Sequence, residues 1–342
     1  MQNIRCQLLA IFFAVVFFAP AVAAPLTAQD YMEINQLYAA YAKALDTNDG
    51  AGEAALYAPG GTFADAGSGH KPQSAATLAK SAGAKQMRPA GGHMLMNLWI
   101  NPTADGATGQ TYSLVVSEDD SGTLDGYPAL YNDTLVKTRA GWRFRSREIW
   151  TGKEKMPPPD FNAVKNDKFV PDSKAIALPN QAIKALTPED YFEIQQLYAK
   201  YAFATDEGDG PMRATVFTAD GVITSNLTDH KPGTMADMVQ RTGRIGRQVR
   251  PMGGHIMSNI SLTPTLQGVR GVAYAYIGGK PGELKGTPIV YNDLIVRTPV
   301  GWRIKARNIW LDNEKDSPFH PGACARAPCG PLSPFSARKN DP

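Results

Sequence analysis

The chain contains an internal duplication, and this feature constrains its fold more than any other. The segment Gly91-Gly92-His93 returns as Gly253-Gly254-His255, 162 residues later. Further segments recur in the same order with an offset of 160 residues: Leu26–Tyr31 with Leu186–Tyr191, Gln36–Ala39 with Gln196–Ala199, Tyr131–Asp133 with Tyr291–Asp293 and Gly141–Arg143 with Gly301–Arg303. Two long copies predict a tandem pair of domains, because a solenoid would need more and shorter repeats.

The first residues are typical of a secretory signal peptide. Arg5 supplies a positive charge, Leu8 to Phe18 is apolar, and Ala21 to Ala24 offers small residues for cleavage. The apolar run is too short to cross a membrane comfortably. We therefore expect an exported protein, periplasmic or secreted, with no membrane attachment after cleavage. The predicted organisation is a signal peptide at 1–24, a first domain at 25–156, a linker at 157–185, a second domain at 186–315 and a Pro- and Gly-rich tail at 316–342.

Composition argues against several function classes. The chain is 43% hydrophobic and 20% charged, with a net charge of +3, and it shows no clustered basic face of the kind that nucleic-acid binders present. In an oxidising compartment, Cys324 and Cys329 favour a small local disulfide, and their spacing fits no zinc pattern. The second copy carries Arg241, Arg244, Arg247 and Arg250 at every third position. This series is either a solvated helix face or an anion-attracting rim over a pocket.

Each copy reads as helices first and a sheet afterwards, which predicts an α+β fold. In the first copy, Thr27 can cap a helix that runs to about Leu45. The remaining predicted elements are helices at Ala51–Tyr57 and Ser74–Ala82, a short strand at Gly61–Ala64, and four longer strands at Met94–Ile100, Thr108–Val116, Ala129–Lys137 and Trp142–Ile149. We expect a cone-shaped domain, in which a curved antiparallel sheet wraps the long helix and leaves an apolar cavity at its open end.

Asp46 and Asp206 occupy matching positions at the ends of the two long helices. The helix macrodipole disfavours an anion there. A solvated helix end is the simpler interpretation, but the repetition and a histidine paired with each carboxylate favour a functional one.

His93 and His255 open strands of mixed polarity, and a satisfied core histidine is the alternative to a functional one. Strand alternation predicts that His93, Leu95, Asn97 and Trp99 share one face, as do His255, Met257, Asn259 and Ser261. A neutral imidazole is a natural base near pH 7, and a carboxylate on its other nitrogen fixes the tautomer. Because no serine nucleophile motif accompanies the pair, proton abstraction fits better than acyl transfer.

The tyrosines of the helices and strands are either core residues or cavity residues that could donate a hydrogen bond to a leaving hydroxyl or an oxyanion. The arginines upstream of the two histidines are the nearest cations in sequence. The residues that we predict to bind substrate are Tyr41, Arg88, Asn97, Tyr112, Tyr131, Tyr201, Arg250, Asn259, Tyr274 and Tyr291.

The order of motifs resembles the SnoaL-like branch of the nuclear-transport-factor-2-like superfamily. The residues that carry the resemblance are Gln-Leu-Tyr in the long helix, an Asp at its end, Gly-Gly-His-x-x-x-Asn and a late Gly-Trp-Arg. Scytalone dehydratase, hexachlorocyclohexane dehydrochlorinase, ketosteroid isomerase and polyketide cyclases have similar folds. The first two use a cofactor-free Asp–His dyad, which falls here on Asp46 with His93 and on Asp206 with His255. Scytalone dehydratase carries a Tyr where this chain has Leu45 or Thr205, so the resemblance does not extend to its substrate.

The resemblance implies a cofactor-independent lyase or dehydratase that acts on a small hydroxylated, aromatic compound, with lignin-derived diaryl compounds as one class. A non-catalytic exported binding protein and an isomerase of the ketosteroid-isomerase or cyclase type are the alternatives. We expect the two domains to pack through their sheets as an internal pseudo-dimer, with further homo-oligomerisation left open. Their pockets differ in surrounding residues, and this difference favours the second as the catalytic one.

Overall fold

The computed structural model describes residues 24–80, 92–118, 124–151, 170–225, 231–249, 254–277 and 286–311, with side chains except at 117–118, 124–127 and 246–249. It contains two α+β domains, each built from helices and one curved sheet. This architecture confirms the predicted fold class and the tandem arrangement. Among the described residues, no helix combines the length and the apolar character that a membrane span requires.

The first domain begins with its long helix and ends with its sheet. Its elements are α1 (Ala28–Asp46), α2 (Gly50–Ala55), β1 (Tyr57–Ala64), β2 (Gln73–Ser74), β3 (Gly92–Thr103), β4 (Gly106–Glu118), β5 (Leu124–Thr138) and β6 (Gly141–Thr151). The expected third helix at Ser74–Ala82 is wrong in type, because the described part of this segment forms a 3₁₀ helix at Ala75–Lys80.

The second domain repeats this order with one clear difference. Its elements are α3 (Pro188–Asp206), α4 (Gly210–Ala214), β7 (Phe217–Ser225), α5 (Met235–Val249), β8 (His255–Thr265), β9 (Gly268–Ile277), β10 (Thr287–Thr298) and β11 (Gly301–Leu311). In place of the 3₁₀ helix it carries α5, a full α-helix on which Arg241 and Arg244 are exposed. These two exposed arginines fit the solvated-face interpretation.

Apart from β2, a short edge strand of the first sheet, the two sheets share one topology. Their strand orders are β2-β1-β6-β5-β4-β3 and β7-β11-β10-β9-β8. The pairs β1–β6 and β7–β11 are parallel, and the other neighbours are antiparallel. The inner face of each sheet packs against its own long helix, so that β3 and β8 carry their first residues to the ends of α1 and α3.

Both long helices start with the same N-terminal capping arrangement. Thr27 and Asp30 form a capping box, and the Asp30 carboxylate also accepts a 3.0 Å hydrogen bond from the indole of Trp142. Thr187, Asp190 and Trp302 repeat this arrangement in the second domain. Since the capping carboxylate bonds both the helix N-terminus and the last strand, it fixes the helix against the sheet.

The two domains pack on each other asymmetrically. A small apolar cluster joins Tyr112 and Leu130 of the first domain to Phe203 and Ile256 of the second. The Gln196 side chain, on α3, bonds the backbone of β3 through a 2.7 Å hydrogen bond from the Ile100 amide. The long helix of the second domain is therefore covered on two sides, by its own sheet and by β3.

Part of the expected linker lies against the second domain. Ala175 is buried, and its carbonyl oxygen accepts a 2.7 Å hydrogen bond from the Ala219 amide. The amides of Leu178 and Ile183 donate to Arg297 and Thr265, at 2.9 Å each. Residues 175–183 thus form part of the second domain's surface.

Candidate active site

The first Asp–His pair forms where α1 ends and β3 begins. Asp46 is the last residue of α1, and its Oδ1 lies 2.6 Å from Nδ1 of His93. Its Oδ2 accepts a 3.2 Å hydrogen bond from the His93 backbone amide. The side chain of Asp46 is 29% exposed and that of His93 is 11% exposed. The carboxylate therefore holds the imidazole at a site that water can reach.

The second pair has the same geometry but is less exposed to solvent. Oδ1 of Asp206 bonds Nδ1 of His255, and Oδ2 accepts a 2.8 Å hydrogen bond from the His255 amide. The Asp206 side chain is fully buried and that of His255 is 6% exposed. The predicted pairing of helix-end Asp with strand-start His is therefore present in both domains.

A glycine precedes each histidine because the carboxylate approaches the backbone there. A Cβ on Gly92 would lie 3.3 Å from Oδ2 of Asp46. A Cβ on Gly254 would lie 2.8 Å from Oδ2 of Asp206 and 2.7 Å from Cζ of Tyr112. A side chain at Gly254 would displace one of these groups, which explains in steric terms why a glycine stands directly before His255.

The strand-face prediction is wrong beyond residue 96. Asn97 and Asn259 take the left-handed conformation, with φ of 57° and 51°, and each lies in a β-bulge. The bulge inserts one residue and reverses the alternation of the strand. Trp99 consequently lies on the outer face of the sheet, opposite His93, and Ser261 is displaced from the His255 face in the same way.

The two predicted asparagines have different surroundings. The side chain of Asn97 crosses to the second domain, where its Nδ2 donates to the His255 carbonyl and its Oδ1 accepts a 2.7 Å hydrogen bond from the Met257 amide. Asn259 is exposed. Neither asparagine therefore sits beside the histidine of its own domain as the alternation had suggested.

Tyr112 and Tyr274 do not face the interior of their own domains. Both lie on the outer face of their sheet, which is the face turned away from the domain's long helix. Tyr112 reaches across the domain boundary and donates a 2.8 Å hydrogen bond to Oδ2 of Asp206. Tyr274 is 47% exposed. The prediction that each lines its own pocket is wrong for this reason.

The other four predicted tyrosines lie inside their own domains. Tyr41 stacks edge-on against Tyr131, and the guanidinium carbon of Arg147 lies 3.9 Å from the centre of the Tyr41 ring. Tyr201 stacks in the same way against Tyr291, with Arg307 at 4.1 Å from the Tyr201 ring. Burial, together with the neighbouring Tyr57, holds the pKa of Tyr41 well above its usual range.

Sequence reasoning missed the buried ion pairs under these rings. Arg147 forms a bidentate pair with Asp133, at 2.7 Å for both hydrogen bonds. Arg307 and Asp293 repeat the pair at 2.9 and 2.7 Å. Arg147 and Arg307 are separated by the repeat offset of 160 residues, so a comparison of the two copies could have identified them as candidates.

A second missed feature distinguishes the two interiors. The second domain buries Arg213, which donates to the Tyr201 hydroxyl and, at 3.1 Å, to Thr242. The corresponding residue of the first domain is Glu53, also buried. Burial opposes ionisation of Tyr201, but Arg213 and Arg307 outweigh it, so the pKa of Tyr201 lies below its usual value. The Tyr201 hydroxyl thus lies beside a buried cation at a position where the first domain has an acidic residue.

Two open grooves lie outside the dyads. One, of about 570 Å³, runs between the domains and is lined by apolar groups and by Tyr274, Tyr276 and Trp310. The other, of about 670 Å³, lies over the outer face of the first sheet and includes Trp99 and Gln110. No dyad residue lines either groove.

Arg88, Arg250, Cys324 and Cys329 lie outside the described residues. In the part of the chain that is described, no three His, Cys, Asp or Glu side chains form a group able to hold a metal ion.

Solved structures resemble single domains of this chain. An NTF2-like protein with a cystatin-like fold from Novosphingobium aromaticivorans is 26% identical, covering 35% of this chain and 80% of its own, with a TM-score of 0.32. A protein from the same species whose provisional name is scytalone dehydratase is 19% identical over 36% and 84%, with a TM-score of 0.32. ActVI-ORFA from Streptomyces coelicolor is 22% identical over 36% and 98%, also with a TM-score of 0.32.

No curated protein matches the chain. The family model described as a SnoaL-like domain matches it twice, at residues 27–148 and 187–308, and each match spans one of the two α+β units. The chain belongs to the SnoaL-like domain family and carries two copies of that domain.

Proposed function

We propose that the protein is a cofactor-independent lyase or dehydratase that uses an Asp–His dyad to remove a proton. The observation that carries the proposal is the bond between the helix-end carboxylate and Nδ1 of the histidine, which is 2.6 Å long in the first domain and is repeated in the second. A backbone hydrogen bond to the other carboxylate oxygen accompanies each pair. Two contacts per carboxylate fix its orientation as well as its distance.

The dyad suits a base better than it suits a nucleophile. The carboxylate accepts Nδ1–H, so the proton-free nitrogen is Nε2. The ring hydrogen bond of each histidine is made through Nδ1. In the proposed reaction Nε2 takes a proton from carbon, the electron pair forms a carbon–carbon double bond, and the hydroxyl on the adjacent carbon leaves. The imidazolium then returns its proton, so that the departing group is water.

The proposed substrate class comes from the resemblance to cofactor-free dehydratases and lyases. Tyr41, Tyr131, Tyr201 and Tyr291 are 1–2% exposed and stack on one another in pairs, so they pack the two cores rather than present a free surface to a ligand. We propose a small hydroxylated aromatic compound, with phenolic and lignin-derived diaryl compounds as the first to test. Arg88 and Arg250 remain proposed partners for developing charge.

A turnover panel tests this function. The full chain, treated with a chelator and supplied with no nucleotide, is incubated with aromatic alcohols and diaryl dimers, and products are followed by mass spectrometry. Loss of water or of a carbon fragment supports the proposal. Isomeric products without loss would indicate an isomerase, and tight binding without any turnover would favour a binding protein. Either of these outcomes contradicts the lyase.

We also propose that the protein is exported, on the strength of the N-terminal pattern alone. The intact mass of the protein recovered from the periplasm or medium checks this. A mature chain that starts near Ala24 or Pro25 is expected, and retention of residues 1–24 in an exporting host contradicts it.

A further inference from the structure

The second dyad receives a hydrogen bond from the first domain. Tyr112 lies on β4, on the face directed away from its own dyad, and its hydroxyl donates to Oδ2 of Asp206 at 2.8 Å. Together with Nδ1–H and the amide of His255, this gives the buried carboxylate three donors. A buried carboxylate with this many donors is both satisfied and held in one orientation.

The first domain also holds the strand that carries the second histidine. Asn97 donates to the His255 carbonyl and accepts a 2.7 Å hydrogen bond from the Met257 amide. Its left-handed backbone, at φ of 57°, turns the side chain out of β3 toward β8. One side chain thus bonds the backbone on both sides of Ile256, the residue that follows His255.

Packing secures these two contacts. Phe203, on α3, is fully buried and stacks on the ring of Tyr112 at a centroid distance of 4.7 Å. Trp99 lies on the same Phe203 ring at 6.0 Å. The aromatic stack excludes water from the Asp206 side of the dyad, so the Tyr112 hydroxyl replaces solvent there.

Among the described residues, the second domain does not make the matching contacts to the first dyad. Tyr274, which corresponds to Tyr112, is 47% exposed, and Asn259, which corresponds to Asn97, is exposed. The residue of α1 that corresponds to Phe203 is Lys43, and it too is exposed. Asp46 keeps 29% of its side chain open, whereas Asp206 is fully buried. Tyr and Asn are the same in both copies, so among these three matched positions the residue type differs only where Phe203 stands in place of Lys43.

We infer that Tyr112 and Asn97 are positioning residues of the second dyad, so that this site is assembled from both domains, whereas the described residues of the second domain make no matching contact to the first dyad. The inference rests on the proposed function only for its kinetic arm. Tyr112 acts through Asp206, by keeping the carboxylate in the plane that the His255 ring needs. Asn97 acts through the backbone, by fixing the main-chain position from which the His255 side chain projects.

The first arm of the test is spectroscopic and uses no substrate. The Nδ1 proton of His255 is observed by NMR, assigned by its loss in His255→Gln, and compared in Tyr112→Phe and in the matched control Tyr274→Phe. Removal of the Tyr112 hydroxyl takes a donor from Asp206 and strengthens its bond to Nδ1–H, so the signal is expected to move downfield. Tyr274→Phe should leave it in place. Equal shifts in both variants, or no shift in Tyr112→Phe, overturn the inference.

The second arm follows the backbone. Asn97→Gly keeps the left-handed conformation accessible and removes the side-chain acceptor of the Met257 amide. Hydrogen exchange at Met257 should accelerate by roughly tenfold, the effect of losing about one hydrogen bond, and Asn259→Gly should leave it unchanged. Unchanged exchange in Asn97→Gly contradicts the role of Asn97.

The kinetic arm separates positioning from mere folding. With a substrate that the wild type converts, Tyr112→Phe should lower kcat by roughly 10- to 100-fold, as expected for a hydrogen bond to a charged group, with little change in KM. Tyr274→Phe should change neither. If the wild type converts nothing, the proposed function fails while the spectroscopic and exchange results still decide this inference. An equal loss in both variants contradicts it.

Discussion

At the scale of single residues, the two interiors of this protein are built around a buried arginine. Arg307 makes two hydrogen bonds to Asp293, and four aromatic rings surround its guanidinium group. Burying a charge is costly unless it is paired and hydrogen-bonded, and the bidentate geometry meets that condition. The pair lies beneath Tyr201 and Tyr291, so it also sets the electrostatics of the tyrosine hydroxyls.

Arg307→Met is expected to lower the free energy of unfolding by about 3–5 kcal/mol, because it leaves Asp293 buried and uncompensated. Lys305→Met is the control, since its partner Asp220 is 60% exposed and surface pairs contribute about 0–1 kcal/mol. Urea unfolding of both variants measures the difference. Equal losses in the two variants would show that the buried pair does not stabilise the domain.

The dyads themselves could be predicted from sequence, because the duplication repeats both the helix-end carboxylate and the Gly-Gly-His segment. The contact of Tyr112 with Asp206 of the other domain could not be predicted in this way. Strand alternation assigns a side chain to one face of a sheet, but it does not say which element of another domain covers that face. The bulges at Asn97 and Asn259 hid the same information, since each one reverses the alternation of its strand, and Asn97 is a residue at which the domains meet.

At the scale of elements, the long helices depend on their capping carboxylates. Burial raises the pKa of Asp30, but hydrogen bonds from Lys137, Thr27 and Trp142 outweigh it and hold the pKa well below its usual range. The pKa of Asp190 is lowered in a similar way, against its burial, by Thr187, Trp302 and Arg297. A folded-state pKa below the unfolded value means that the stabilisation is complete above the unfolded value and is lost as the pH falls below it.

Asp30→Asn should therefore destabilise the protein near neutral pH more than it does in acid. The stability gap between wild type and variant should shrink as the pH falls below about 4, the ordinary pKa of an aspartate. Denaturant unfolding at pH 6 and at pH 3 gives both gaps. A gap that is the same at the two pH values would mean that the ionised carboxylate is not what stabilises this cap.

At the scale of the whole molecule, the two domains are similar in fold and unequal in role. The first covers the second with Tyr112, Asn97 and Trp99, whereas the matched residues Tyr274 and Asn259 of the second are exposed. Comparison of the two copies could have indicated part of this inequality, because Phe203 stands where the first domain has Lys43. The assignment of partners needed the structure, since an apolar residue on a helix indicates that something packs there without saying what.

Phe203→Lys, which copies the first domain's residue into the second, is expected to uncouple the domains. A lysine at this buried position removes the ring that stacks on Tyr112. It also places a positive charge in the apolar contact between the two domains. Calorimetry of the wild type should show coupled unfolding, and the variant should show two transitions, the lower of them shifted down. Lys43→Ala, at the exposed counterpart, should change stability by less than about 0.5 kcal/mol. A single, unshifted transition in Phe203→Lys contradicts the coupling.

The most direct measurement of the central claim compares turnover by His93→Ala, His255→Ala and the double variant, with circular dichroism to confirm that all three fold. Loss of a general base costs about 10²–10⁴-fold in rate. We predict a loss of this size for His255→Ala, a much smaller loss for His93→Ala, and no measurable turnover for the double variant, while substrate binding persists. If each single variant loses about half the activity, the sites are equivalent and independent. If the double variant retains full turnover, the dyads are not the base, and the account is wrong.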